Sequence, residues 1–332
     1  MIGDPVRLGF IGVGWWGGVL ATATAASSIA EVSGCFSRTA ESREQFATEH
    51  GCVAYESLDE MFGSDIDGVV IATPHATHAD LVVSVAEAGK HVFVDKPLTL
   101  DIDEADRAIA ATDEAGVLLQ VGHNRRRQPA IRQIKNWIEG GDLGQLTAVE
   151  SVHAAPLLFN PSLPEWRRDP RENPVGGMAA LGVHQIDTFH YLAGPIGGVY
   201  AMSERLQSGS GVDDTSTIIF RFASGMQGHL FTSLASGPAV EVAAFGVDAI
   251  GRSTGDGAKL TRQKRGSTDL EEIPLTPLDT IADEIDEFAR SIRGESSPEV
   301  DGNEARRVVA VLEAIISSVE SGQWTEVSYE AD

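Results

Sequence analysis

Val6-Arg7-Leu8-Gly9-Phe10-Ile11-Gly12-Val13-Gly14-Trp15-Trp16-Gly17 reads as a short apolar strand, interrupted only by Arg7 and Gly9, that runs into G-x-G-x-x-G. Such spacing suits a strand that turns sharply into a helix while its backbone approaches a pyrophosphate. Gly12 takes the tight turn, Gly14 brings no Cβ to block the phosphates, and Gly17 lets helix and strand pack closely. The N–H groups and dipole at the helix start then favour the anion. Glycine turns are common, so context decides. Ala21 to Ala26 continues as a small-residue helix, and Glu31 to Ser37 is a second strand about 20 residues on, where a ribose-reading residue belongs. There the chain has Ser37-Arg38 instead of Asp or Glu, a donor and a positive charge that favour NADP over NAD. The alternative is a surface arginine at a helix start.

The 332 residues suffice for two domains with sizeable cores, with 42% apolar content and no internal repeat. No apolar run has the length of a membrane helix, and no basic leader precedes an apolar segment, so a cytoplasmic location is expected. Cys35 and Cys52 lack metal-ligand spacing and argue against a disulfide scaffold or a metal site. A net charge of −24, from 25 Lys and Arg against 49 Asp and Glu, opposes nucleic acid and anionic membranes as partners. A salt-adapted source and an ordinary acidic protein both fit this charge; stability compared in low and molar salt separates them.

Downstream, Thr39 to His50 reads as a helix opened by a hydroxyl cap, and Leu58 to Phe62 as a short one. Gly68 to Ala72 is a buried strand that ends in Thr73-Pro74-His75-Ala76-Thr77-His78, followed by a helix to Ala88. His91 to Val94 is a strand ending in Asp95-Lys96-Pro97, Asp101 to Ala115 a helix, and Val117 to Val121 a strand. This alternation predicts an α/β fold with a doubly wound parallel sheet and a ligand at the carboxyl ends of its strands. Leu146 to His153, Gly198 to Leu206, Thr215 to Phe222, Gly225 to Leu234 and Val240 to Gly246 are strand-like, with hairpin connections at Ser208 to Asp213 and Ala223 to Gly225. Asp279 to Arg293 and Glu304 to Glu320 are helical by spacing.

The order G-V-G-W-W-G, A-T-P-H-A-T-H and A-G-K-H-V-F-V-D-K-P-L resembles the Gfo/Idh/MocA family of NAD(P)-dependent oxidoreductases. Val121 to Pro129, Gly140 to Leu146, Trp166-Arg167, Gly176 to Gly194 and Asp301 to Ala305 extend the resemblance over essentially the whole chain. It implies a Rossmann-type dinucleotide-binding domain over 1–123 and an α+β substrate and oligomerisation domain over 124–332. The second domain is expected to carry an open, mostly antiparallel sheet, and the helix 304–320 to pack back on the first domain. Homodimers or homotetramers are also implied.

Lys96 and His184 are the expected catalytic residues. An ammonium at a strand end can stabilise charge developing on a substrate oxygen, and a neutral imidazole can take or return its proton; the resemblance places the family's lysine and histidine at these positions. Asp95 stands where the family usually has Glu, and the Lys96-Pro97 bond is expected to be cis. Gly12, Gly14, Trp15, Trp16, Gly17, Ser37 and Arg38 are the cofactor candidates of the first turn. Ala72, Thr73, Pro74, His75, His78, Asp95, Lys96, Pro97 and Asn124 are those of the later strand ends. The spacing of His75 and His78 lacks the further ligands a zinc site needs.

Substrate candidates are Lys96, His184, His123, Arg126, Arg127, His153, Trp166 and Arg167, with Asn160 behind them. The arginines suit a carboxylate, or else are solvated or hold a domain interface. Ala180 departs from the family, which commonly carries there an Asp that works with the Lys and His. Asp187, one turn after His184, can orient it or serve packing or capping. The leading expectation is an NADP-preferring dehydrogenase or reductase for a sugar, cyclitol or related polyhydroxylated molecule. A retained-cofactor epimerase or lyase and a non-catalytic nucleotide or sugar sensor are the alternatives.

Overall fold

The computed structural model of the protein describes residues 4–207, 209 and 211–329, which divide into two compact units. The first holds residues up to 123 and 279–306, and the second 124–278 and 307 onward.

In the first unit strands and helices alternate: β1 (Val6–Ile11), α1 (Trp15–Ala26), β2 (Ala30–Phe36), α2 (Ala40–His50), β3 (Val53–Ala54), α3 (Leu58–Phe62), β4 (Gly68–Ile71), α4 (His78–Glu87), β5 (His91–Asp95), α5 (Ile102–Ala115) and β6 (Leu119–Gly122). The strands pair in parallel in the order β3-β2-β1-β4-β5-β6. Every residue of β4 is buried, as a strand covered by helices on both faces requires. The strand order reverses between β1 and β4, so a crevice is expected outside their carboxyl ends. Asp101 caps α5 by accepting from Glu104 N at 2.9 Å. The cap expected at α2 takes another form: the Thr39 hydroxyl turns to Ser42 Oγ, 2.7 Å away.

The second unit begins with α6 (Pro129–Glu139) and β7 (Leu146–Ala154). A long irregular stretch leads to α7 (Val183–Ala193), followed by β8 (Ile196–Glu204), β9 (Thr215–Phe222), β10 (Gln227–Ser233), β11 (Ala239–Gly246), β12 (Ala249–Thr254), β13 (Lys259–Lys264) and β14 (Glu271–Ile273). After α8 (Thr280–Ile292) and α9 (Gly302–Ser321) the chain ends in β15 (Thr325–Glu326). The nine-stranded sheet runs β14-β13-β12-β11-β7-β10-β9-β8-β15, antiparallel throughout except where β7 meets β10. β12 to β15 lie beyond the strands that alternation reveals, because residues such as Lys259, Arg262 and Glu271 give them little apolar pattern. In the β8–β9 connection Ser208 and Ser210 lie outside the described residues. Its closing contact is Gln207 N donating to Asp214 Oδ2 at 2.6 Å.

α8 belongs to the first unit, where Phe288 packs against Phe93 with ring centroids 5.8 Å apart. Ile285 and Phe288 are fully buried there, each worth about 1.5–3 kcal/mol of hydrophobic stabilisation. Gln120 Nε2 donates to Glu284 O at 2.8 Å and fixes the helix along the sheet. α9 groups with the first unit through Arg306 and with the second from Arg307 onward. Arg306 pairs with Asp106, while Ser318 Oγ accepts from Ala201 N of β8 at 3.0 Å.

Tyr329 anchors the C-terminal segment by donating to Ile196 O at 2.8 Å and accepting from Ile196 N at 3.0 Å. Burial pushes its hydroxyl up to about 12 although the hydrogen bond that it accepts from Ile196 N opposes the shift. Because this pKa exceeds the unfolded value of about 10, the tyrosine's contribution is complete below that pH and is lost as pH rises through the folded value. Denaturant titrations between those limits should show stability falling with pH, and Tyr329→Phe should remove that part of the slope. Among the described residues no helix is long and apolar enough to cross a membrane.

Candidate active site

The glycine turn sits where the strand order reverses. Gly12 has φ +95°, a left-handed value that penalises any side chain, and a Cβ there would come 2.4 Å from Ala72 O and 2.9 Å from Thr73 Cγ2. The ends of β1 and β4 therefore touch through bare backbone. A Cβ on Gly17 would lie 2.0 Å from Gly12 O, so α1 can close on the turn only without one. Gly14 is the contrast: a Cβ there would meet nothing within 4 Å, the open approach that a phosphate needs. No side chain caps α1 and no acid occupies its first turn, so its N–H donors face no side-chain competitor. These residues fit a dinucleotide pyrophosphate.

Ser37 and Arg38 follow β2 directly, with Arg38 exposed, and Arg43 Nη1 donates to Ser37 O at 3.4 Å. Trp15 is 79% exposed, and its ring lies 5.6 Å from that of Trp16. A cavity of about 600 Å³ opens beside Gly14 and Trp15, with Thr22 of α1 and Ser42 and Glu49 of α2 in its wall. None of Arg38, Ala72 or Lys96 lines it, so it is a groove of the helix layer.

Beyond β4, Ala72, Thr73 and Pro74 are half-buried, whereas His75 and His78 are buried. His78 is fully enclosed. Its Nδ1 lies 2.8 Å from Pro97 O and its Nε2 3.0 Å from Thr73 O. With a ring nitrogen beside each of these backbone carbonyls, the ring braces the segments after β4 and β5. Those segments carry Thr73 and the Asp95-Lys96-Pro97 turn, whose Lys96-Pro97 bond is cis. Lys96 is 6% exposed at the carboxyl end of β5. An ammonium held there with so little water is a strong local source of positive charge.

In the second unit a helical turn at Asn124–Arg127 precedes α6. Arg126 pairs with Asp187 inside this unit. Its Nε and Nη2 donate to Asp187 Oδ2 and Oδ1 at 3.0 and 2.5 Å, with both side chains almost fully buried. Its planar group also lies 5.4 Å from the Tyr191 ring centroid. This bidentate pair fills the Nε–Nη2 edge of the guanidinium. It also assigns Asp187 to Arg126, sixty-one residues earlier in the chain. Arg127 and His123 are buried, and Asn124 is half-buried.

His184 occupies the second position of α7, after a π-helical turn at Met178–Gly182. Val175, just upstream, has φ 52°, an uncommon conformation for a β-branched residue. Its carbonyl accepts from Ser216 Oγ at 3.2 Å, which holds this entry to β9. Ala180 packs among Leu181, Val212, Leu234 and Leu157, so the position where the family commonly has Asp is apolar here. His153 of β7 lies beside His184, with ring centroids 6.1 Å apart. Gln185 and Ser151 contact it through a buried chain of polar atoms. Composition and motif spacing pass over both, although Ser151 shares the face of His153 by strand alternation and Gln185 adjoins His184.

Trp166 and Arg167 stack on each other, the guanidinium 4.4 Å from the ring centroid, and both are half-buried. Asn160 is exposed and engaged in its own turn, where Oδ1 accepts from Ser162 N at 2.9 Å.

A glycine turn at the switch point of a parallel sheet, with a buried lysine at a neighbouring strand end, defines a dinucleotide-binding oxidoreductase. The chain matches the oxidoreductase family model with NAD-binding Rossmann fold over residues 6–123 and the GFO/IDH/MocA C-terminal domain over 131–249. It belongs to the Gfo/Idh/MocA family and is an NAD(P)-dependent enzyme.

The 1,5-anhydro-D-fructose reductase of Ensifer adhaerens is 28% identical over 90% of this chain and 91% of its own. The UDP-N-acetylglucosamine 3-dehydrogenase of Acidithiobacillus ferrooxidans is 28% identical over 95% of this chain and 98% of its own. A solved structure from Desulfitobacterium hafniense, provisionally described as an NADPH-dependent oxidoreductase, aligns with a TM-score of 0.92. It is 26% identical and covers 98% of both chains.

Proposed function

We propose that the protein is an NADP(H)-preferring dehydrogenase or reductase of a sugar, cyclitol or related polyhydroxylated molecule. The observation that carries this reading is the near full-length match to two enzymes whose names place sugars as their substrates. Gly12, Gly14 and Gly17 with the start of α1 hold the pyrophosphate, and Ser37 and Arg38 read the ribose. When bound, the nicotinamide supplies or accepts the hydride. Lys96 hydrogen-bonds the reacting oxygen and stabilises the negative charge that develops on it. During oxidation the O–H proton passes to His184 as the carbinol C–H bond breaks and its electron pair departs as hydride; reduction returns both.

The test is a titration of the purified protein with NADPH and NADH, followed by a screen of sugars, inositols and sugar acids for change at the nicotinamide absorbance. NADPH-dependent turnover of a polyol supports the assignment. Tight nucleotide binding with no net turnover on any of them replaces it with a retained-cofactor epimerase or lyase. Arg38→Ala is expected to weaken NADPH binding by about ten- to hundredfold, the loss of a charge-assisted bond, while leaving NADH binding unchanged. Equal weakening of both nucleotides would remove Arg38 from 2′-phosphate recognition.

Self-association of the second unit accompanies this reading. Met202 and Ile219 are 55% and 48% exposed on the face of the sheet that also carries Phe231. A second copy of the chain fits that apolar face. Sedimentation equilibrium should return a dimer or tetramer that Ile219→Lys weakens; a monomer at micromolar concentration would exclude it.

A further inference from the structure

His153, Gln185 and Ser151 are 3%, 1% and 0% exposed, so water does not make up for a mismatched donor or acceptor among them. Ser151 Oγ lies 2.8 Å from Gln185 Oε1 and 2.7 Å from the backbone oxygen of Glu241. Gln185 Nε2 lies 3.0 Å from His153 Nδ1. A serine hydroxyl has one hydrogen. With the amide oxygen toward Ser151, that hydrogen satisfies one acceptor and leaves two oxygen lone pairs opposed at the other. A half-turn of the amide removes the conflict. Ser151 then donates to Glu241 O, Gln185 Nε2 donates to Ser151 Oγ, and Gln185 Oε1 becomes an acceptor facing His153 Nδ1. Every contact in the chain now pairs one donor with one acceptor.

We propose that Gln185 is a positioning residue that, through Ser151 and the Glu241 carbonyl, holds the neutral His153 ring with its proton on Nδ1 and its lone pair on Nε2. The relay starts from backbone that the sheet fixes, since Glu241 of β11 pairs with Val152 of β7. It ends on a ring beside His184. Bonds in such a chain polarise one another, which strengthens the acceptor at its end. His153 Nε2 accordingly accepts a hydrogen bond from a hydroxyl of the substrate, a function that Ala180 does not provide. The ligand class is an alcohol that presents a neighbouring hydroxyl as donor, and this step rests on the polyhydroxylated-substrate reading above. Gln185 itself touches no reacting atom.

The tautomer is read without substrate, from long-range 1H–15N correlations of the histidine rings in the 15N-labelled full-length protein at a pH of about 8.5, above the ordinary imidazole range. His153→Gln identifies the signals. The expected result is a protonated Nδ1 and an unprotonated Nε2 on His153. Gln185→Leu should shift the ring toward the Nε2-protonated form, whereas Gln185→Glu, which keeps an acceptor opposite Nδ1 and sets a second oxygen against Ser151 Oγ, should keep the Nδ1 proton. A proton on Nε2 of the wild-type ring, alone or together with one on Nδ1, overturns the proposal. So does a Gln185→Leu protein that melts normally with its tautomer unchanged.

On a polyol that the screen identifies, Gln185→Leu should lower kcat/KM about tenfold, the loss of one neutral hydrogen bond, with nucleotide affinity unchanged. Failure of the polyol screen leaves the spectroscopic result standing, so the relay and the substrate assignment can fail separately.

Discussion

Lys96→Met is expected to yield a folded protein that binds dinucleotide normally and turns over about 10²- to 10³-fold more slowly, the loss found when one preorganised charge-stabilising donor is removed. Methionine nearly matches the volume of the lysine stem and deletes only the ammonium. Lys96 is 6% exposed, so its charge acts with little screening by water, and in such surroundings one positive group is worth far more than at a surface. The turn that carries it is tied from behind, where His78 reaches the carbonyl of Pro97 at 2.8 Å. Its position is therefore set before substrate arrives.

The substitution should lower kcat and kcat/KM together, because the interaction grows with charge in the transition state and contributes little to ground-state binding. Nucleotide affinity is the control. Turnover within about threefold of wild type would remove Lys96 from the chemistry; a parallel loss of nucleotide affinity would recast it as a binding residue. His184→Gln should cost a comparable factor, since a positioned acid–base group contributes about 10²- to 10⁴-fold. The double variant should fall well short of the product of the two losses, as groups that act in one step do.

Asp187→Ala should destabilise the protein by about 3–5 kcal/mol, the penalty for leaving one member of a buried ion pair without its partner. The guanidinium of Arg126 would remain almost fully enclosed with both of its donors to Asp187 orphaned. Chemical denaturation reads the loss directly. Replacing both residues with apolar ones of similar volume, Arg126→Met with Asp187→Leu, should cost less than Asp187→Ala alone, since no charge is then stranded. Were Arg126 a receptor for a substrate carboxylate, Arg126→Met would instead raise KM for sugar acids and leave stability nearly unchanged. Catalytic constants and stability together separate the two roles.

The first unit was largely legible because its signals are local. The buried β-branched run of β4 identifies itself within four residues, and the Asp101 cap needs only the three residues that follow it. The second unit resisted at its edges. Lys259–Lys264 and Glu271–Ile273 are strands because the neighbouring ladder supplies their hydrogen bonds, and nothing apolar in them announces it. The division of α9 was equally hidden, since its apolar spacing does not say which unit each turn covers.

Among the site residues, Lys96 and His184 stood in motifs, whereas the occupations of Arg126, Asp187 and His78 depended on distant partners. An arginine reads the same in a sequence whether its fork is open or already filled.

By itself the sequence determined the strand, turn and helix at the N-terminus, because a left-handed φ at Gly12 and the contact of Gly17 with Gly12 are demands that glycine alone meets, within six residues. It likewise determined the alternation that builds the parallel sheet. Only the tertiary structure decided that Asp187 closes on Arg126, that His78 ties Thr73 to Pro97, and that Ser151 and Gln185 meet His153. Backbone stereochemistry and hydrophobic period act over a few residues. The pairing of buried polar groups is settled by which surfaces the folded chain brings together, where each donor must find an acceptor that no local pattern specifies.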